Sequence, residues 1–264
     1  MGIIIFRRKR KFIFIMFIVI LLILLIDTSD SSNKAESLYS GSVQLNNVSR
    51  YSEKAIDPAG TDTLEIMCDN SQVSVYRWRN NIIKYESTGI IISGLDKETL
   101  KRKADDFVTD ITVENKKIVL KDVFRGKTGE YNDCYTKLNI FIPQNIRNIR
   151  ADIKSGSIAF LDDLNGNLHV SGGELDVTIK KIKGIFRCNI IEGDIVINTG
   201  YINGYMDIAS KTGNISINSD FKPEGIYKIN SGHGIIDLKV PEELNVQDVF
   251  NLTSSTGMIR ITWY

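Results

Sequence analysis

The sequence predicts an all-β protein, a β-solenoid of about 20-residue repeats with one N-terminal transmembrane helix and one short helix inserted early in the domain. Two observations carry the prediction: apolar residues that alternate with period two through most of the chain, and a glycine-centred unit that recurs six times. Alternation over short runs bounded by turn residues signals strands. A repeat near twenty residues suits one layer of strand, bend and strand that buries its inner face only when stacked on its neighbours.

The N-terminus comes first in chain order. The basic run Arg7-Arg8-Lys9-Arg10-Lys11 precedes an uninterrupted apolar run from Phe12 to Ile26. Spanning a bilayer takes roughly 20 apolar residues, so this run is short for a span and falls at the upper end of the apolar core of a cleaved signal peptide, about 7 to 15 residues. It closes on Leu24-Leu25-Ile26-Asp27 with no small-residue cleavage pattern, which favours an uncleaved signal anchor over a cleaved peptide. Positive charge before the run keeps the N-terminus cytoplasmic. The expected location is therefore the cell membrane, single-pass, with the C-terminal part extracytoplasmic. Residues 1–27 form the basic flank and anchor, 28–60 a polar tether headed by Asp27-Thr-Ser-Asp-Ser-Ser-Asn33, and 61–264 the β-repeat domain.

Of the 33 Lys+Arg, five lie in the basic flank, which leaves 28 against 32 Asp+Glu in the rest of the chain. A mildly acidic domain argues against nucleic acid as a partner, because phosphate binding wants concentrated positive charge. Three cysteines, Cys68, Cys134 and Cys188, cannot all pair within the chain, so stability must come from packing and not from disulfides.

The stretch Asp96 to Val108, DKETLKRKADDFV, predicts the one helix outside the membrane, with Leu100, Ala104, Phe107 and Val108 on one face. From Ile149 onward the repeats read IRADIKSGSIAF, LHVSGGELDV, FRCNIIEGDIVI, MDIASKTGNISI, YKINSGHGIIDL and FNLTSSTGMIRI. Their glycines are Gly156, Gly173, Gly193, Gly213, Gly234 and Gly257, and apolar residues stand two and four places after each. Five units also carry apolar residues seven and five places before the glycine; the Gly173 unit is two residues shorter there. An early copy, Leu64, Ile66, Cys68, Ser71, Val73 and Val75, has serine in place of glycine. The glycine is expected to permit a bend of positive φ or a close backbone approach.

No catalytic, cofactor-binding or metal-ligating residue is predicted. His169 and His233 fall at different places in their repeats and form no metal pair. Asp162, Asp163, Glu174, Asp176, Glu192 and Asp194 take turn and outward positions, where solvated charge is the ordinary reading. Ser210, Ser231 and Ser254 share the column three places before the glycine, taken earlier by Ile153, Val170 and Ile190, and form a hydroxyl ladder that is either structural or the lining of a ligand groove. Cys68 and Cys188 sit at inward columns; Cys134 is the least constrained.

The G-x-Φ-x-Φ units, following a strand that ends at Pro143, together with TLEIMCDNSQVSVYRW, resemble the putative-adhesin family of domain of unknown function 4097. Related toast-rack domains of cell-envelope proteins look similar. The resemblance spans 61–264 and implies a solenoid-like fold, an envelope location and no established active site. The tether, the helix near Leu100 and Ser71 depart from the family's simplest form.

These readings converge on a membrane-anchored, non-enzymatic surface scaffold or adhesin-like binding module that takes part in envelope sensing. Its expected partner is an envelope protein or glycan, with no cofactor. The alternative is a solenoid carbohydrate-active enzyme acting on an acidic glycan. The C-terminal run Met258-Ile-Arg-Ile-Thr-Trp-Tyr264 carries one charge and no proline, so it either caps the last core layer or self-associates through an open edge.

Overall fold

The computed structural model describes residues 45–58, 60–114, 117–199, 203–219, 224–241 and 250–264. The expected membrane anchor and most of the tether lie outside them. Among the described residues no helix is long and apolar enough to cross a membrane.

Among the described residues the fold is mostly β, with one short helix and a single 15-stranded mixed sheet. Strands β1 (Asn46–Ile56), β3 (Ile83–Ser93) and β6 (Asp133–Ile142) pair antiparallel at one end. Strand β2 (Thr63–Arg77) then runs parallel to β6 on one side and to β7 (Asn148–Asn165) on the other. An antiparallel pair, β4 (Phe107–Glu114) and β5 (Lys117–Phe124), adds to the first half of β2 through β5. Residues 46–56, assigned to the tether from their polarity, are thus strand. Their mainly outward side chains hide the signal, since β1 lies at the sheet's edge and buries little.

Beyond β7 the strands are parallel and belong to the repeat: β8 (Asn167–Glu192), β9 (Ile195–Thr199), β10 (Asn203–Thr212), β11 (Ile215–Ser219), β12 (Glu224–His233), β13 (Ile235–Val240), β14 (Phe250–Ser254) and β15 (Met258–Trp263). Each repeat has two arms joined at the bend. In the second arm Val73, Ile158, Val177, Ile195, Ile215, Ile236 and Ile259 stand in register from strand to strand. In the first arm Leu64, Ile149 and Leu168 align, and further along Phe186, Met206, Tyr227 and Phe250 do. Apart from Ile259, these columns belong to one continuous core. Each fully buried side chain of this size contributes about 1.5–3 kcal/mol.

One assignment within the repeat is corrected. Gly156 pairs with Leu175, not with Gly173, and Gly193 stacks on the Leu175 carbonyl. Val177 and Ile179 therefore answer Ile158 and Phe160, and the missing residues before the bend reappear as Leu168 and Val170. The column three places before the bend accordingly holds Gly172 where the glycine alignment put Val170. A Cβ on Gly172 would lie 2.7 Å from Leu175 Cδ2. The bare Gly172 leaves the volume that Leu175, itself buried, fills.

The helix is also shorter than expected. Asp96 caps it, its Oδ1 accepting from Thr99 N at 2.9 Å and its Oδ2 from Thr99 Oγ1 at 2.7 Å. Helix α1 (Lys97–Lys103) passes into a 3₁₀ turn at Ala104–Asp106. Phe107 and Val108 then start β4, opposite Phe124 and Val123. Two carboxylates, Asp105 and Asp106, oppose continuation at the negative end of the helix dipole, and the β-branched run that follows pairs better as strand. Leu100, Ala104, Phe107, Ile91 and Cys134 form a small second core beneath the helix.

Candidate interaction site

The two faces of the repeat's bends are built by backbone approach. Gly213 has φ +140, and a Cβ there would lie 1.9 Å from the Gly193 carbonyl oxygen. No L side chain fits that geometry, which is why glycine recurs. A second glycine column, Gly166, Gly184, Gly204 and Gly225, marks the other corner and was missed in the sequence; a Cβ on Gly204 would lie 2.0 Å from Gly184 O. Its signal is a glycine two places before the first inward residue of the repeat, as in Gly204 before Met206.

The polar residues at the bends are engaged in stacking one repeat on the next. Asp176 Oδ1 accepts from Asp194 N at 2.9 Å, Asp194 Oδ1 from Asn214 N at 2.7 Å, and Asn214 Oδ1 from Ile235 N at 2.9 Å. Asp162 Oδ2 accepts from Arg77 N at 2.9 Å, and Asp163 pairs with Lys181 at 3.1 Å. Glu174 and Glu192 are exposed. Of the six carboxylates weighed from the sequence, four are thus divided among separate structural tasks and two are exposed. Ser210 and Ser231 are buried and donate to the carbonyls of Gly193 and Gly213 at 3.4 and 3.1 Å. The hydroxyl ladder therefore ties bend to bend. Among the described residues no group of three or more His, Cys, Asp or Glu is placed to hold a metal ion. His233 Nδ1 meets Thr256 Oγ1 at 2.5 Å, and His169 lies on β8, away from it in the stack.

At the opposite end a cleft of about 370 Å³ opens between β2, β5 and β6. Asp122 lies in its wall, buried, with Ser71 Oγ donating to Oδ2 at 2.7 Å and Thr109 Oγ1 to Oδ1 at 2.6 Å. Burial raises its pKa, against the lowering effect of hydrogen bonds from Thr109, Ser71 and Thr136. Sequence reading missed this residue, although Ile118-x-Leu120-x-Asp122 places it in the inward phase. Cys134 lines the same cleft, its thiol pushed up to about 12, first by burial and then by Asp133. Asn70 Nδ2 donates to its carbonyl at 2.9 Å, and Lys154 pairs with Asp69 at 2.5 Å at the rim. A thiol held protonated and a carboxyl saturated by hydroxyls make no nucleophile and base; the cluster pins β4, β5 and β6 to β2.

The C-terminal layer is different in kind. β14 pairs only with β12 and β15 only with β13, so both outer edges carry no strand among the described residues. Ile236 is 0% exposed, while Ile259, in the same column one layer on, is 41% exposed. Met258 and Trp263 are likewise half exposed. Tyr264 is not loose: its hydroxyl donates to the carbonyl of Ser219. Of the two alternatives for the C-terminus, Tyr264 thus folds back as a partial cap while Ile259 and Trp263 remain uncovered.

No protein-family model matches the chain, and no curated protein matches it. The resemblance to domain of unknown function 4097 therefore rests on the repeat pattern alone. Solved structures similar to it include a putative cell adhesion protein from Clostridium sporogenes, at 15% identity and TM-score 0.43, covering 82% of this chain and 100% of that one. Others are a putative adhesin from Bacteroides fragilis, at 10% identity and TM-score 0.48, covering 80% and 97%, and one from Parabacteroides distasonis, at 15% and 0.39, covering 80% and 97%.

Proposed function

We propose that the chain is a membrane-anchored, extracytoplasmic β-solenoid that acts as a non-enzymatic, adhesin-like binding module. In this reading an envelope protein adds a strand to the open C-terminal layer. The observation that carries it is Ile259, which stands uncovered where every preceding member of its column is buried. An uncovered layer whose two outer edges carry no strand among the described residues offers backbone donors and acceptors for affinity and apolar side chains for specificity. The basic flank and apolar run at residues 7–26 supply the anchor in this reading.

The test is a photo-crosslinker placed at Thr262 of the full-length chain in its native membrane. A discrete protein adduct that is absent when the crosslinker sits at Thr178, on an interior strand, supports strand addition. Adducts of identical pattern from both positions would sink it.

A further inference from the structure

Arg77 closes β2 at the corner where the first arm of the next repeat begins. Its Nη1 donates to Pro143 O at 2.6 Å, which fixes the guanidinium. Its Nε is buried and has no hydrogen-bond partner among the described residues. The side chain lines an open groove of about 510 Å³ with Gln144, Arg147, Asn165, Gly166 and Lys183. Three cations thus line the groove, and among the described residues that line it there is no carboxylate. The counter-charge nearest in effect is Asp162, which partly offsets the burial that pulls the Arg77 pKa down.

A partly buried guanidinium with an unused donor is costly unless an acceptor completes it. Its fork is matched by the two oxygens of a carboxylate or phosphate. The amides of Gln144 and Asn165 can donate alongside, and Arg147, exposed at the rim, adds charge. We propose that this groove binds an oxyanion, carboxylate or phosphate, borne on a ring-sized residue such as a sugar. The volume exceeds a bare ion and suits one ring. Among the described residues the corner column turns to Gly184, Gly204 and Gly225, so one charged residue is read and not a long polyanion. The proposal does not depend on the open edge at the other end of the repeats.

The experiment is an NMR titration of the full-length protein, following the arginine side-chain Nε–H signals, with galacturonate, glucose 6-phosphate and uncharged glucose as separate arms. The Arg77 signal is identified by its loss in Arg77→Lys. A saturable shift of that signal with either charged sugar but not with glucose is expected, and the arm that responds tells carboxylate from phosphate. Arg147→Gln, at an exposed position, should weaken binding at least tenfold without moving the melting temperature. No saturable shift with either charged sugar, or affinity unchanged in Arg147→Gln, overturns the proposal. If Arg77→Lys also unfolds the protein, the Arg147→Gln comparison decides alone.

Discussion

Ser71 donates its hydroxyl to Asp122 across 2.7 Å between two residues that water barely reaches. Ser71 stands where later repeats carry the bend glycine, paired in register with Gly156. The substitution that weakens the repeat's signature there is thus the one that holds the antiparallel end in place.

A pH prediction follows for Asp122. Burial raises its folded pKa, so the folded protein holds this proton more tightly than the unfolded chain. The stabilisation is fully present below the unfolded value of about 3.9 and is lost as pH rises through the folded value. Groups with lowered values, such as Asp96, held down by the Thr99 N–H, and Asp110, held down by Lys54, act in the opposite sense. The comparison is therefore between wild type and Asp122→Asn. Melting temperatures measured from pH 4 upward should show wild type losing ground relative to the variant, and parallel curves would contradict a raised pKa.

Gly213→Ala should be severe. The Cβ meets a carbonyl, which cannot move without its strand, at a φ that L residues avoid, and a cost of about 3 kcal/mol or more is expected. Gly129→Ala, where a Cβ meets nothing within 4 Å, is the control and should change stability by less than about 0.5 kcal/mol. Chemical denaturation of both variants checks the contrast.

Much of this was legible in the sequence and some was not, for reasons that differ by residue. The columns through Ile195, Ile215 and Ile236 could be read because parallel in-register stacking repeats the same inward positions in every layer. Gly173 misleads because glycine alone does not mark the bend, whose position is fixed by backbone approach and falls at Leu175, beside Gly172. The Asp122 cluster was invisible because its hydroxyls come from β2, β4 and β6, brought together by pairing and not by spacing. The edge strand β1 was hidden by the polarity that suits an edge.

In the core, Ile215 stacks between Ile195 and Ile236 and is 0% exposed. Ile215→Ala should cost about 2–5 kcal/mol, because neighbours locked in a parallel ladder cannot collapse into the void. Ile215→Asp should cost more by burying an unpaired carboxylate. A denaturation midpoint unchanged by Ile215→Asp would show that the column does not face inward.

The three cysteines are free and buried. Burial pushes the Cys188 thiol up to about 12 and raises Cys68 well above its ordinary value. Thiolate is the reactive form, so both should resist a water-soluble alkylating reagent at pH 8 in the native state and react fully once the chain is unfolded. Mass spectrometry after timed labelling distinguishes the cases, and fast native labelling of Cys188 would place it outside the core.

The open layer gives the last prediction. Among the described residues strand β15 pairs with β13 and with no other strand, and its residues Met258, Ile259 and Trp263 are about half exposed. One cation, Arg260, lies 3.8 Å from Asp237 and does little to repel a neighbour. A strand added beside Ile259 to Thr262, from a partner or a second copy, would pair the free backbone groups and cover Ile259 as Ile236 is covered one layer below. Proline at position 261 removes a donor and constrains the backbone of that edge. Ile261→Pro should therefore abolish concentration-dependent association in sedimentation, and with it any partner adduct captured from Thr262. Fold loss is a separate matter, followed through the remote Trp78, whose Nε1 donates to Ile82 O at 2.7 Å near β2 and β3. If Trp78 reports a native fold and association persists at wild-type strength, β15 is not the surface that pairs.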